Sequence, residues 1–373
     1  MRTADTPSTF LDNFYRGKSV LITGDTGFKG SWLALWLSGL GASVTGLALP
    51  ASTRPSHFDL AGLDHLIRHI DADIRDEEAV RQAFEISRPE IVFHLAAQAL
   101  VRDSYDDPKA TFDTNIGGTV NVLEAIRHCS TVRAVVVVTS DKCYDNKEWI
   151  WGYRENDSLG GHDPYSASKG AAEIVCAAYR RSYFGTGGMG PCLGLATARA
   201  GNVIGGGDWA RDRIIPDCIR ALSQDEPIII RNPQSTRPWQ HVLDPLHGYL
   251  MLAAYLWNAT DDASGAWNFG PRASDQITVL ELARRFVANW GTGQIQTSPE
   301  GGTGKHEAHL LHLNTDKAAF ELQWAPVLDS SAAIDWTVQW YKAWYENQDI
   351  LQNVSIRQIR NFQKLASNGG RAS

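Results

Sequence analysis

The sequence predicts an α/β fold, a Rossmann-type doubly wound parallel sheet with a smaller mixed C-terminal substrate-binding lobe. Three observations predict it. Short apolar runs alternate with helical periodicity up to about residue 200. A glycine-rich turn, Gly24-Asp25-Thr26-Gly27-Phe28-Lys29-Gly30, joins the first run to the first apolar helix. The run Ala134-Val135-Val136-Val137-Val138 is unbroken enough to be buried on both faces, as central parallel strands are.

The first strand is read at Lys18–Thr23, and the helix after the turn at Ser31–Leu40. Glycines at positions 24, 27 and 30 let backbone pass close to a pyrophosphate, whose charge meets a helix N-terminus. The second strand, Ala42–Leu49, ends in Pro50-Ala51-Ser52-Thr53 and not in the carboxylate that bonds a ribose in NAD sites. Ribose binding is therefore expected to be loose, and the choice between NAD and NADP stays open at this point. Asp73 precedes the helix Glu77–Ser87, either to reach an adenine or to cap that helix. The fourth strand is read at Ile91–Gln98, with small residues at its end suited to a flat cofactor and His94 inside the core.

A long helix is expected from Pro108 to about His128, and another from Tyr165 to Phe184. The latter shows a wider apolar face than one sheet contact needs, which predicts a symmetric homodimer, or a tetramer, through these helices. The sixth strand, Gly194–Ala198, is followed by a loss of alternation. Residues 14–200 are thus expected to form the cofactor domain, and 201–350 a discontinuous substrate lobe. The chain is expected to return to the sheet near 240–270, and 351–373 to form a C-terminal tail.

The functional centre is read from residues 140–169. Ser140, Asp141 and Lys142 fall at the carboxyl end of a buried strand, where open α/β sheets bind ligands. Tyr165 and Lys169 lie four residues apart on one helix face, so the ammonium can favour the phenolate. That pair is equipped to take a proton from an alcohol while a hydride leaves the same carbon.

Bulk properties narrow the field. The chain has 373 residues, 43% of them hydrophobic and 21% charged, as an ordinary folded protein does. Its net charge of −7 argues against a general nucleic-acid binder. No apolar run is long enough for a membrane span, and Met1–Asn13 lack a signal-peptide core, so a cytoplasmic location is expected. The five cysteines are scattered and expected to be reduced, with Cys143 packing a strand end. His306 and Glu307 make a weak metal pair, and no metal is expected.

These motifs resemble the extended short-chain dehydrogenase/reductase family, in its sugar-nucleotide branch, over about Lys18 to Asn347. The marks are Thr23-Gly24-x-x-Gly27-Phe28-x-Gly30 and Tyr165-x-x-x-Lys169. Narrower ones are Ser140-Asp141-Lys142-Cys143-Tyr144, Arg199–Trp209 and Arg237-Pro238-Trp239-Gln240-His241-Val242. Dehydratases of other sugar nucleotides usually carry Asp-Glu where this chain has Asp141-Lys142. The resemblance implies a recycled NAD and conversion of CDP-D-glucose to CDP-4-keto-6-deoxy-D-glucose, in deoxysugar synthesis for surface polysaccharide. A 4-epimerase of the same family and a non-catalytic nucleotide sensor are the rival readings.

By position, Ser140, Asp141, Lys142, Tyr165 and Lys169 would be catalytic: Tyr165 the base at C4, Asp141 the acid at C6, Lys142 the base at C5. A free lysine is protonated at neutral pH, so that last role demands desolvation beside positive charge. The candidate cofactor contacts are Gly24, Thr26, Gly27, Phe28, Lys29, Gly30, Asp73, Ile74, Leu95, Ala96, Ala97, Gln98 and Asn115, with Tyr165 and Lys169. Asn202, Arg213, Arg231, Arg237 and His241 are the candidate substrate contacts, arginine suiting a diphosphate. Where relatives often have His, this chain has Asp25, which is expected to weaken NAD binding unless it turns away or is paired.

Overall fold

The computed structural model describes residues 7–211, 213–297, 310–346 and 350–368. Its first half runs α1 (Pro7–Tyr15), β1 (Ser19–Thr23), α2 (Phe28–Gly39), β2 (Ser43–Ala48), α3 (His57–Leu60) and β3 (Arg68–Asp71). Then come α4 (Glu77–Ser87), β4 (Ile91–His94), α5 (Val101–Asp106), α6 (Pro108–Phe112), α7 (Thr119–Arg127), β5 (Ala134–Val138), α8 (Pro164–Ser182) and β6 (Gly194–Ala200). The second half holds β7 (Val203–Ile204), α9 (Ile214–Ser223), β8 (Ile228–Ile230), β9 (Thr236–Arg237), β10 (Gln240–His241) and α10 (Leu243–Asn258). It continues with α11 (Thr260–Ala263), β11 (Gly265–Phe269), β12 (Ile277–Thr278), α12 (Val279–Trp290), β13 (Ile295–Thr297), α13 (Asp316–Glu321), α14 (Ser330–Tyr345) and α15 (Leu351–Ser367).

Seven parallel strands form the central sheet in the order β11-β6-β5-β4-β1-β2-β3. The order reverses between β1 and β4, and such a switch point opens a crevice at the strands' carboxyl ends. Alternation decides which layer each side chain enters. Val20, Ile22, Phe93 and Val136 pack towards α2, α10 and α14, whereas Leu21, Val92, Val135 and Val137 pack towards α4, α7 and α8. All five residues of β5 are buried, as its β-branched run requires.

Capping chemistry sets the helices around the crevice. Asp76 accepts from Ala79 N and starts α4; Asp163 accepts from Ser166 N, with Pro164 at the first helical position of α8. The long helix expected from Pro108 is interrupted: Asp113–Gly118 form a π-helical turn between α6 and α7. That widened turn brings Asn115 inward, and Ile74 fills the space beside Gly118. Beyond β6 the alternation does give way to small pairs, β7 with β10, β9 with β12 and β8 with β13.

The segment read as a tail is mostly a docked helix. Leu351, Val354, Ile359 and Phe362 make an apolar stripe on α15, and the Phe362 ring meets Trp36 of α2 at 5.6 Å. Among the described residues no helix is long and apolar enough to cross a membrane. His306, Glu307 and 369–373 lie outside the described residues.

Candidate active site

Strand β5 delivers the reactive segment. After Val138 the chain passes through Thr139 and Ser140 into a single 3-10 turn, Asp141–Cys143, capped by Ser140 Oγ accepting from Lys142 N at 3.2 Å. The Ser140 hydroxyl lies 3.0 Å from Asp141 Oδ1 and also hydrogen-bonds the Tyr165 phenol. Asp141 Oδ2 faces the first residue after β6, 3.0 Å from where a Cβ on Gly201 would stand. Ser140, Asp141 and Tyr165 therefore share one buried cleft.

Burial dominates the electrostatics there. It raises the Asp141 carboxyl, an effect that Lys142, Ser140 and Lys29 only partly offset. Burial also pushes the Tyr165 phenol up to about 12, with Asp141 and Asp163 adding to the rise and Ser140 and Arg213 opposing it. Lys169 is brought down to about 8, chiefly by burial. Its Nζ donates to the Val138 carbonyl at 3.3 Å, and Glu173, one turn further along α8, favours its charge. Arg213 is a cation that favours the Tyr165 phenolate, a relationship the sequence pattern did not reveal.

Lys142 is half-buried, and its charge acts on Asp141. Lys29, in the first turn of α2, is brought down to about 8 by burial and by Arg213, while Asp141 holds it up and Lys169 adds to the fall. The cofactor turn thus reaches the catalytic segment itself. Burial raises the Cys143 thiol, which packs with Tyr144, Tyr153 and Leu313.

The turn suits a dinucleotide. Gly24 has φ +81°, and a Cβ there would stand 2.7 Å from Ala96 N; one on Gly30 would stand 2.0 Å from Gly24 O. Gly27 caps α2 with no side-chain hydrogen bond, which leaves first-turn N–H groups for a pyrophosphate. The helix begins at Phe28, three residues before the sequence reading, because the turn is complete at Gly27. Thr26 donates to Leu49 O at 2.8 Å, and the Phe28 ring stands 3.2 Å from a Cβ position at Gly205.

Across the crevice, Leu95, Ala96, Ala97 and Gln98 form a loop past β4. Asn115 bonds Gln98 through both its backbone groups and donates to Ser168 Oγ at 2.8 Å, tying that loop to α8. These residues fit NAD: Gly24–Gly30 for the pyrophosphate, Leu95–Gln98 and Asn115 for the far half.

Other site expectations change. Asp25 does not face the pyrophosphate. It is buried, with its carboxylate in the space over Gly46 and Oδ2 2.8 Å from His69 Nδ1. Its hydrogen bond raises the His69 ring, with burial opposing. Asp73 gives its oxygens to Arg75, and Asp76, not Asp73, caps α4. His94 is a core residue between Thr23 and Thr119, brought down to about 3 by burial. His241 is a correction: it is fully enclosed, flanked by the Trp32 and Trp336 rings, and cannot touch substrate.

Arg213 is fixed by Asp208. Arg237 lies on β9, half-buried, and Arg231 is exposed just after β8. Asn202 sits between β6 and β7, its carbonyl accepting from Gln240 N at 3.0 Å. A separate cavity of about 520 Å³ opens elsewhere, lined by Glu155, Ile174, Arg180 and Lys317 among others, and contains none of the proposed catalytic side chains.

Comparison with known proteins agrees with this geometry. The chain is 49% identical to the CDP-glucose 4,6-dehydratase of Salmonella typhimurium over 91% of its length and 94% of that protein's. Among solved structures, an epimerase from Methanothermobacter thermautotrophicus shares the fold, with a TM-score of 0.78 at 24% identity, over 93% of this chain and 97% of that one. So does dTDP-glucose 4,6-dehydratase from Bacillus anthracis in complex with NAD, with a TM-score of 0.71 at 19% identity, covering 90% of this chain and 99% of the other. The family match spans residues 20–270, about the whole of the sheet and its crevice. The chain belongs to the NAD dependent epimerase/dehydratase family.

Proposed function

We propose that this enzyme converts CDP-D-glucose to CDP-4-keto-6-deoxy-D-glucose and water, with NAD recycled in each turnover. The observation that carries the reading is the buried Asp141 carboxyl, raised by its surroundings and linked through Ser140 to Tyr165. A 4-epimerase needs the phenol but has no use for a buried carboxyl group beside it. The 49% identical relative supports the CDP-glucose assignment.

Each residue then has one task. Tyr165, ionised, takes the C4 hydroxyl proton, with Ser140 bonding the same oxygen. NAD, which the Gly24–Gly30 turn and the Leu95–Gln98 loop would hold, would supply a hydride acceptor and donor. The ketone at C4 acidifies the C5 hydrogen, and Lys142 removes it. Asp141 gives its proton to the departing C6 hydroxyl, which leaves as water. A proton returned to C5 completes a redox-neutral elimination. Arg213, Arg231, Arg237 and Asn202 hold the nucleotide diphosphate and sugar.

The same proposal includes a homodimer through α7 and α8, where Ile174 is 61% exposed on the outer face of α8. It also includes a cytoplasmic location, a place in deoxysugar synthesis for surface polysaccharide, and a division into cofactor residues 14–200 and substrate residues 201–350. Turnover assays with CDP-, dTDP-, UDP- and GDP-glucose, with and without added NAD, test it. Selective, NAD-stimulated formation of the 4-keto-6-deoxy product from CDP-glucose is expected; equal use of all four sugars contradicts it.

A further inference from the structure

Helix α2 begins without a side-chain cap, so something else must fix the turn whose N–H groups face the cofactor. A continuous hydrogen-bond chain does this from the side. Ser31 Oγ donates to the Phe28 carbonyl at 2.9 Å, within the first turn of α2. His57 Nδ1 lies 2.9 Å from Ser31 Oγ, and His57 Nε2 lies 3.1 Å from Ser355 Oγ on α15. Trp340 Nε1, on α14, donates to Ser355 Oγ at 2.9 Å.

Proton count and burial together set the directions. Ser31 has one hydroxyl proton and gives it to Phe28, so it accepts from His57 Nδ1–H. Nε2 is then the bare nitrogen and accepts the Ser355 hydroxyl proton, while Ser355 accepts from Trp340. In this arrangement the ring is neutral with its proton on Nδ1. Its surroundings agree: His57 is stacked on Trp32 at 4.6 Å and 11° and tilted against Trp340 at 5.9 Å. Ser31, Ser355 and Trp340 have no exposed surface, and burial takes the ring down to about 3. A second tie, Gln352 Nε2 to Ala61 O at 2.7 Å, holds α15 to the segment that carries His57.

We propose that Ser355 is a positioning residue for the cofactor turn, acting through His57 and Ser31, so that α15 is a working part of the NAD site. The proposal rests on the NAD reading above. Losing the Ser355 hydroxyl leaves the His57 nitrogen and the Trp340 N–H unpaired in a dry interior, and frees the ring to drop its hold on Ser31.

The test is NAD and CDP titration calorimetry on the full chain, for wild type, Ser355→Ala and Ser355→Thr, with thermal midpoints recorded. Ser355→Ala is expected to weaken NAD binding roughly tenfold, the loss of about one buried hydrogen bond. CDP binding is expected to change less than about twofold, and Ser355→Thr to recover most of the NAD affinity. Nitrogen-15 NMR of the wild type is expected to show a neutral Nδ1–H ring at pH 6. Wild-type NAD affinity in Ser355→Ala, an equal loss of NAD and CDP binding, or an Nε2–H ring would each overturn the proposal. Failure of the wild type to bind NAD would overturn it together with the cofactor reading, whereas turnover of the wrong sugar nucleotide would sink only the substrate assignment.

Discussion

Arg213 donates from Nη1 to the Asp208 carboxylate at 2.8 Å, and its charge also reaches the Tyr165 phenol. Asp208 is itself gripped at the backbone: its N–H donates to the Tyr341 hydroxyl at 3.0 Å, and that hydroxyl donates to its carbonyl. Asp208 thus aims a cation at a phenol that burial otherwise keeps protonated.

Replacing Arg213 tests that arrangement. Arg213 and Ser140 favour ionisation of the phenol, whereas burial, Asp141 and Asp163 oppose it. The base must be ionised to act, so removing the cation moves its ionisation to higher pH. Arg213→Ala is expected to shift the acid limb of kcat/KM upward and to slow turnover at neutral pH about tenfold, the equivalent of roughly one pKa unit. Arg213→Lys is expected to recover part of the loss. An unmoved acid limb in Arg213→Ala would detach Arg213 from Tyr165.

The division of labour between Tyr165 and Lys142 separates two steps. Tyr165→Phe is expected to lose about 10²–10⁴-fold in turnover, the usual contribution of a positioned acid–base group. Lys142→Ala is expected to oxidise C4 and stall, so that borohydride quenching of a single turnover traps the 4-ketohexose with its C6 hydroxyl intact. Normal 6-deoxy product from Lys142→Ala removes that lysine from the mechanism.

Only one of the two reasons for weak NAD binding survives the structure. Asp25 is turned under the turn and paired with His69, whereas Pro50 still stands exposed where a ribose-binding carboxylate would be. The cofactor is therefore expected to exchange on dialysis. Pro50→Glu is expected to tighten NAD binding, by up to about tenfold for one added hydrogen bond. Full NAD occupancy of the wild type after extensive dialysis would contradict this.

The contrast shows what a linear pattern carries. The glycine turn, Ser140–Lys142 and Tyr165–Lys169 were legible because each is a local motif whose strand and helix lie beside it in sequence. The direction of Asp25 was not, since it depends on His69, 44 residues on and on another strand. His241 resembled a ligand in its motif, yet Trp32 and Trp336 enclose it from distant helices. Asn115 reaches Gln98 because a π turn widens a helix that reads as regular. Long-range pairing of this kind leaves no period in the sequence.

Glu173 gives a stability prediction. Burial opposes its charge, yet the Arg199 guanidinium and the Thr139 and Thr197 hydroxyls hold its carboxyl below the usual range. Because its folded pKa is depressed, its contribution is complete above the unfolded value of about 4.3 and is lost as pH falls through the folded one. Glu173→Gln leaves Arg199 buried without its anion and is expected to cost about 3–5 kcal/mol at pH 7, with the cost shrinking in acid. Urea unfolding across pH 3–7 reads this directly, and a pH-independent difference would contradict it.

The central claim is that this cleft eliminates water across C5 and C6. Turnover of CDP-glucose in deuterated water, followed by NMR of the product, tests it most directly. One solvent deuterium at C5 of a 4-keto-6-deoxy sugar is the predicted result; an epimerised or unchanged hexose with no deuterium at C5 would contradict it.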